Sequence, residues 1–312
     1  MKPFRILAID GGGVRGAVPA SFLTALEQTT GRSAHDTFDL IAGTSTGGLI
    51  ALYIASTGKS AQSVNDEFYS PEALGTIMDK SLWDRVAPVQ HKPVYDGTGK
   101  TRIARQVLGD KRLQDVEKKL LVTAYDFIER QIVVYKSWGG ENCRKNPLLW
   151  EIADATSAAP TFFPSIRAED GRWLIDGGLA ANNPATCALA EAIKLGHDAR
   201  SIRLLSLGTG RTAREPADRE RYGEESREWG AIGWVTDGAL LEHLFEGSST
   251  AMDYLSQQIL GENFVRINKP LKLASTATDD SSADNIDKLK AEGKAWFEQH
   301  KDEVLALLDD GE

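Results

Sequence analysis

Two segments near the start of the chain share one pattern: a short apolar run, a glycine turn, then apolar residues at helical spacing. Phe4 to Ile9 leads into the turn Asp10 to Gly16. Ala17 to Gln28 follows, with Val18, Phe22, Leu23 and Leu26 on one helix face. Phe38 to Ala42 then leads into Gly43 to Gly47, and Gly48 to Ala55 reads as a helix apolar nearly all round, which belongs in an interior. Strand, turn and helix twice over predict parallel strands, and strands apolar on both faces predict cover on both sides. The fold class expected is α/β: a mostly parallel central sheet with helices on both faces, a three-layer sandwich.

The rest of the chain is less regular. Ser60 to Asp79 reads as helical, Lys80 to Gly99 as loop and Lys100 to Leu108 as helix. Lys119 to Asp126 and Gln131 to Ser137 read as a hairpin across Phe127 to Arg130. Pro147 to Ser157 is a predicted helix and Trp173 to Ile175 a strand. Asn183 to Leu195 is a helix with Pro184 in its first turn, and Ile202 to Leu207 a buried strand. Ala213 to Glu228 is dense in Arg and acidic residues and predicts a solvated loop or helix face. Ala231 to Leu260 reads as one long helical region, Asn263 to Ile267 as a late strand and Ala274 to Ala283 as a surface linker. Ile286 to Leu308 is an amphipathic helix. No internal repeat and no domain boundary is evident.

Composition narrows the function classes. The 312 residues are 41% hydrophobic and 26% charged, which excludes a disordered chain. Lys+Arg 36 against Asp+Glu 45 gives net charge −9, which argues against nucleic-acid binding and against electrostatic capture by anionic membranes. Cys143 and Cys187 make neither a disulfide scaffold nor a Cys-rich zinc site. The N-terminus runs straight into a strand without a signal-peptide pattern, and no long apolar run predicts a membrane span. A cytoplasmic protein is expected, with peripheral contact at membranes.

The chemistry concentrates in the turns. Three glycines, Gly11, Gly12 and Gly13, lie between a strand and a helix, where bare N–H groups make a site for negative charge. Phosphate binding and an oxyanion hole both use such a site. Gly11, Gly13 and Gly16 fit the dinucleotide fingerprint, but that fingerprint requires an acidic residue ending the second strand, and Gly43-Thr44-Ser45 stands there. Gly43-Thr44-Ser45-Thr46-Gly47 sits where a nucleophile elbow belongs: glycines on either side of Ser45 relieve a crowded turn, and Thr46 N–H adds a donor. A serine needs a base. None of His35, His91, His197, His243 and His300 follows a late strand in a glycine turn, whereas Asp176 follows Leu174-Ile175 and precedes Gly177-Gly178. Asp96-Gly97-Thr98-Gly99-Lys100-Thr101 is like the end of a Walker A loop, but Val94 stands where the first glycine is required, so Lys100 reads as a surface residue at a helix start.

Together these motifs resemble the patatin-like phospholipases, which share a core with cytosolic phospholipase A2. The resemblance runs from Phe4 to about Gly210. It is carried by Asp10 to Gly16, Gly43 to Gly47 and Asp176 to Gly178, with Ala155 to Pro160, Asn182 to Pro184 and Leu205 to Gly210. It implies a patatin-like three-layer sandwich, a Ser–Asp dyad with Ser45 as nucleophile and Asp176 as base, and an acyl-enzyme intermediate. It implies an oxyanion hole from Gly11, Gly12 and Gly13. Asp10, Arg15, Gly16, Gly43, Thr46, Gly47, Gly177 and Gly178 would be in support. No cofactor and no metal, calcium included, is implied. The substrates implied are phospholipids or other acyl lipids met at a membrane surface. A single patatin-like domain over 1–312 is expected, with a catalytic core at about 4–210 and a helical extension at about 211–312; oligomeric state is left open. Phe162-Phe163-Pro164, Trp83 with Val86 and Val89, and Trp229 with Trp234 are candidates for acyl or membrane contact, and Thr212 to Gly230 for a lid. A dinucleotide oxidoreductase and a non-catalytic binding or regulatory protein are the other classes.

Overall fold

The computed structural model describes residues 2–79, 92–213, 215–236 and 239–309. Eight strands form one sheet: β1 Phe4–Ile9, β2 Leu40–Thr44, β3 Lys119–Asp126, β4 Gln131–Lys136, β5 Ile166–Arg167, β6 Trp173–Asp176, β7 Ile202–Leu207 and β8 Phe264–Ile267. Their order is β5-β6-β3-β2-β1-β7-β8, with β4 also on β3. The pairs β3–β2, β2–β1, β1–β7 and β7–β8 are parallel; β4, β6 and β5 are antiparallel additions beside them.

Alternation along the strands decides the layers. Leu7 and Ile9 of β1, Ile41 of β2 and Val122 of β3 pack on one face, against helices Ala17–Thr30, Thr46–Thr57 and Ala283–Leu308. Ile6 and Ala8, Leu40 and Ala42, and Leu121 point to the other face, against helix Ala185–Lys194. Both faces are covered, so the strands tolerate no polar face.

The segment after residue 210 enters this core. It contributes β8 to the sheet and buries Ile286, Leu289, Trp296, Phe297, Val304 and Leu307 of helix Ala283–Leu308. Phe297 packs edge-on against Phe22 at 5.4 Å, and a Cβ on Gly293 would stand 2.2 Å from Val18 O, so the two helices cross in close contact.

One helical stretch is broken where the sequence reads as continuous. Ser60 to Asp79 holds two helices, Ala61–Phe68 and Pro71–Ile77, because Ser70 caps the second through Ala73 N–H and Pro71 occupies its first turn. In the predicted helical region from Ala231 to Leu260, Ala231–Thr236 and Ala239–Leu260 are helical, and residues 237–238 lie outside the described residues. Helix Pro216–Ser226 has no buried side chain among its described residues. Trp83, Val86, Val89 and His91 lie outside the described residues. No described helix is long and apolar enough to cross a membrane.

Candidate active site

The register of β3 brings Ser45 and Asp176 to the same place. β4 occupies one edge of β3 along residues 121–126. The other edge is shared: β2 pairs with residues 119–123, ending at Thr44↔Thr123, and β6 pairs with 124–126, ending at Ala124↔Asp176. The two strands run toward each other along that edge and finish at adjacent positions. Asp176 therefore reaches the level of Ser45 from an antiparallel strand, a direction the sequence does not reveal.

Ser45 has φ 54° and ψ −125°, a region costly for a residue with a Cβ, and forms the N-cap of helix Thr46–Thr57. A Cβ on Gly43 would stand 2.0 Å from Gly47 O, and one on Gly47 2.2 Å from Ile9 O, so both positions exclude side chains. Ser45 N–H donates to Thr156 Oγ1 at 2.8 Å, and Thr156 Oγ1 donates to Thr123 O at 2.7 Å. This is the geometry of a nucleophile elbow.

Asp176 is fully buried. Gly178 N–H donates to its Oδ1 at 2.7 Å, while Oδ2 has no hydrogen-bond partner of normal geometry. Burial pushes its carboxyl up to about 6, against the opposing pull of the Ser45 hydroxyl, Gly178 N–H and the Lys100 ammonium. Ser45 and Asp176 thus face each other without a tight bond. None of the described histidines lines this cavity. His197 stacks on Phe4 at 3.9 Å, and His300 faces Glu303.

The glycine turn closes the site from β1. A Cβ on Gly11 would stand 3.0 Å from Ser45 Cβ, which fixes the turn beside the serine. Gly11 N–H, however, donates to Asn182 O at 3.1 Å. That corrects the expectation of three equivalent donors. Among the described residues no hydrogen bond engages Gly12 or Gly13 N–H, so these two donors are open to a ligand. Thr209 and Thr278 crowd the turn so tightly that a Cβ on Gly12 or Gly13 would stand 2.1 Å from Thr209 Oγ1 or Thr278 O.

The region after residue 210 supplies the clamps on this turn, which the sequence did not indicate. Val14 N–H donates to Thr278 O at 2.9 Å and Arg15 Nη1 to Thr276 O at 3.2 Å, so the expected surface linker is a wall of the site. Arg266 of β8 binds Asp10 with two nitrogens, at 2.9 and 2.6 Å, and Asp253 through Nε. Burial works to lower the Arg266 guanidinium, but Asp10 and Asp253 outweigh it and hold it above its ordinary value. Gly16 would clash with Tyr69 and Thr46, whose hydroxyls bond each other. Gly177 packs on Thr123, where a Cβ would stand 2.4 Å from Oγ1.

Asp10 to Arg15, Ser45, Thr46 and Asp176 line one cavity of about 530 Å³. Ser45, Asp176 and the glycine turn lie on its floor. Leu49, Phe68, Leu74, Ile77, Phe162 and Phe163 give it an apolar wall, and Leu241 and Phe245 of helix Ala239–Leu260 reach it from the far side. Trp229 and Trp234 pack against each other outside it. Lys100, expected on the surface, is 4% exposed and lines the cavity. Among the described residues no group of three His, Cys, Asp or Glu is arranged to hold a metal ion.

The chain is similar to known proteins in sequence and in fold. A family model described as patatin-like phospholipase matches residues 7–189. Patatin-like protein 3 of Arabidopsis thaliana is 31% identical over 357 residues, covering 96% of this chain and 82% of that protein. Patatin-like protein 2 of Oryza sativa subsp. indica is 28% identical, covering 97% of this chain and 86% of that protein. Among solved structures, VipD from Legionella pneumophila superposes with TM-score 0.49 at 12% identity, covering 99% of this chain and 67% of that one. Human GIVD cytosolic phospholipase A2 superposes with TM-score 0.47 at 10% identity, covering 98% and 59%.

Proposed function

The chain belongs to the patatin-like phospholipase family, and from that premise we propose that it hydrolyses acyl esters of phospholipids through Ser45 and Asp176. The observation that carries this reading is the convergence of the β2 and β6 ends on one edge of β3, beside the glycine turn. Asp176 takes the Ser45 proton as Oγ attacks the ester carbonyl. Gly12 and Gly13 N–H hold the oxyanion, and each such donor is worth on the order of 10²–10³ in rate. The alcohol or lysolipid leaves with the proton from Asp176, and an acyl-Ser45 remains. Water, deprotonated by Asp176, then attacks the acyl carbonyl; as the acyl–Oγ bond breaks, Asp176 returns the proton to Ser45 Oγ and the fatty acid is released. Burial suits Asp176 to this role, because a carboxyl with pKa near 6 is a stronger base than an exposed one and is still ionised at neutral pH. The apolar wall is fit for an acyl chain.

The test is fatty-acid release from phosphatidylcholine vesicles. Ser45→Ala and Asp176→Asn are each expected to lose at least about 10³-fold in kcat while keeping the wild-type circular dichroism spectrum. Substantial release by either folded variant contradicts the assignment.

A further inference from the structure

Lys100 is a buried cation that the fold keeps at two costs. It is the third residue of helix Thr98–Leu108, so its charge sits at the positive end of the helix dipole. It is also removed from water, which disfavours an ammonium. Its ion pair with Asp154 is a loose one. Nζ donates to the backbone carbonyl of Asp154 at 2.8 Å and stops 3.7 Å short of the nearer carboxylate oxygen. The other carboxylate oxygen is taken by Thr101 Oγ1 at 2.6 Å, and the Phe163 ring lies 4.8 Å from Nζ. Anchored in this way, Lys100 shares the cavity wall with Asp176 and Ser45.

The other charged groups nearby have their own partners. Asp10 is held by Arg266, Arg15 faces Glu242 and Glu246, and Tyr95 donates to Asp279. On the elements packed against β6, Asp126 accepts from Ile128 and Glu129 N–H, and Glu151 accepts from Leu148 N–H. Asp176 is tied to the same segment that holds Lys100: its N–H donates to Ala158 O at 3.0 Å and Gly177 N–H to Thr156 O at 3.4 Å, just beyond Asp154, and the Lys100 ammonium works to lower the Asp176 carboxyl.

We propose that Lys100 is a positioning residue of the catalytic centre, the fixed counter-charge of the Asp176 carboxylate, seated in a socket made by Asp154, Thr101 and Phe163. The inference rests on the reading of Asp176 as the base. Without the ammonium, burial acts on the carboxyl unopposed, and Asp176 holds its proton to higher pH. Lys100 touches no reacting atom in this scheme; it sets the pH range over which the base is available.

The test is the pH profile of kcat/KM on a soluble acyl ester. Lys100→Met is expected to move the acid limb upward by about one pH unit or more, a loss of about tenfold or more below pH 6 that shrinks toward alkaline pH. Lys100→Arg is expected to keep the limb near its wild-type position. A loss of the same size at every pH overturns the proposal, since a purely structural role lowers the rate without moving the limb. Where Lys100→Met fails to fold because Asp154 is left unpaired, the double variant Lys100→Met/Asp154→Asn carries no orphan charge and is expected to show the same displaced limb. A wild-type limb in the folded double variant overturns the proposal. Labelling of the wild type by a fluorophosphonate separates the two readings. No adduct on Ser45 overturns the proposed function, and this inference with it. An adduct on Ser45 with an unmoved limb overturns the role of Lys100 alone.

Discussion

Burial raises the Asp176 carboxyl from its ordinary 3.8 to about 6, so the proposed base is ionised above that pH and protonated below it. The expected outcome is a kcat/KM that falls about tenfold per unit below pH 6 with the slope of one proton, measured on a soluble ester. The same shift has a cost in stability. A carboxyl whose folded pKa lies above its ordinary 3.8 binds a proton more tightly in the folded state, so stability is lost as pH rises from 3.8 through about 6. Asp176→Asn removes that penalty. It is expected to be more stable than wild type in urea unfolding at pH 8, by up to about 3 kcal/mol, with the advantage gone by about pH 4. Ser45, Gly43 and Gly47 were legible in the sequence because a strained turn between strand and helix demands those residue types. Lys100 was not: a lysine at a helix start is ordinarily solvated, and only the tertiary packing of Phe163 and Asp154 shows otherwise.

At the scale of elements, the glycine turn is shaped by chain far from it. Gly13 has φ 59° and lies against Thr278 O, so its lack of a side chain is a condition of the turn. Gly13→Ala is expected to cost at least about 10² in kcat on a soluble ester, whether by strain or by displacing the donor. Arg266 grips the turn from β8 through Asp10. Arg266→Ala leaves buried Asp10 without its cation and is expected to destabilise the fold by about 3–5 kcal/mol in urea unfolding. The strands β1, β3 and β7 match the bounds read from hydrophobic pattern alone, because each is buried on both faces and its apolar run ends where the sheet ends. The antiparallel direction of β6 was not legible: a four-residue strand carries no mark of its neighbour, and direction follows from the connection through β5. The same limit hid the role of residues 274–283, whose polar composition is that of a linker, while their backbone carbonyls serve Val14 and Arg15.

Across the whole molecule, the last hundred residues close both the core and the site. Helix Ala283–Leu308 buries Trp296 and Phe297 against the first helix, and β8 extends the sheet beyond β7. A chain truncated after Gly210 is expected to lack a cooperative thermal transition, because it exposes that apolar face and orphans Asp10. A folded and active fragment would show instead that residues 4–210 are a self-sufficient core. Every step proposed for this molecule depends on Ser45 being a nucleophile activated by its meeting with Asp176. Intact-mass and peptide mapping after exposure to a fluorophosphonate tests that most directly. The expected result is one adduct, on Ser45, absent from Ser45→Ala and formed at least about 10²-fold more slowly in Asp176→Asn. An adduct on another residue, or ester hydrolysis that persists in Ser45→Ala, would contradict it.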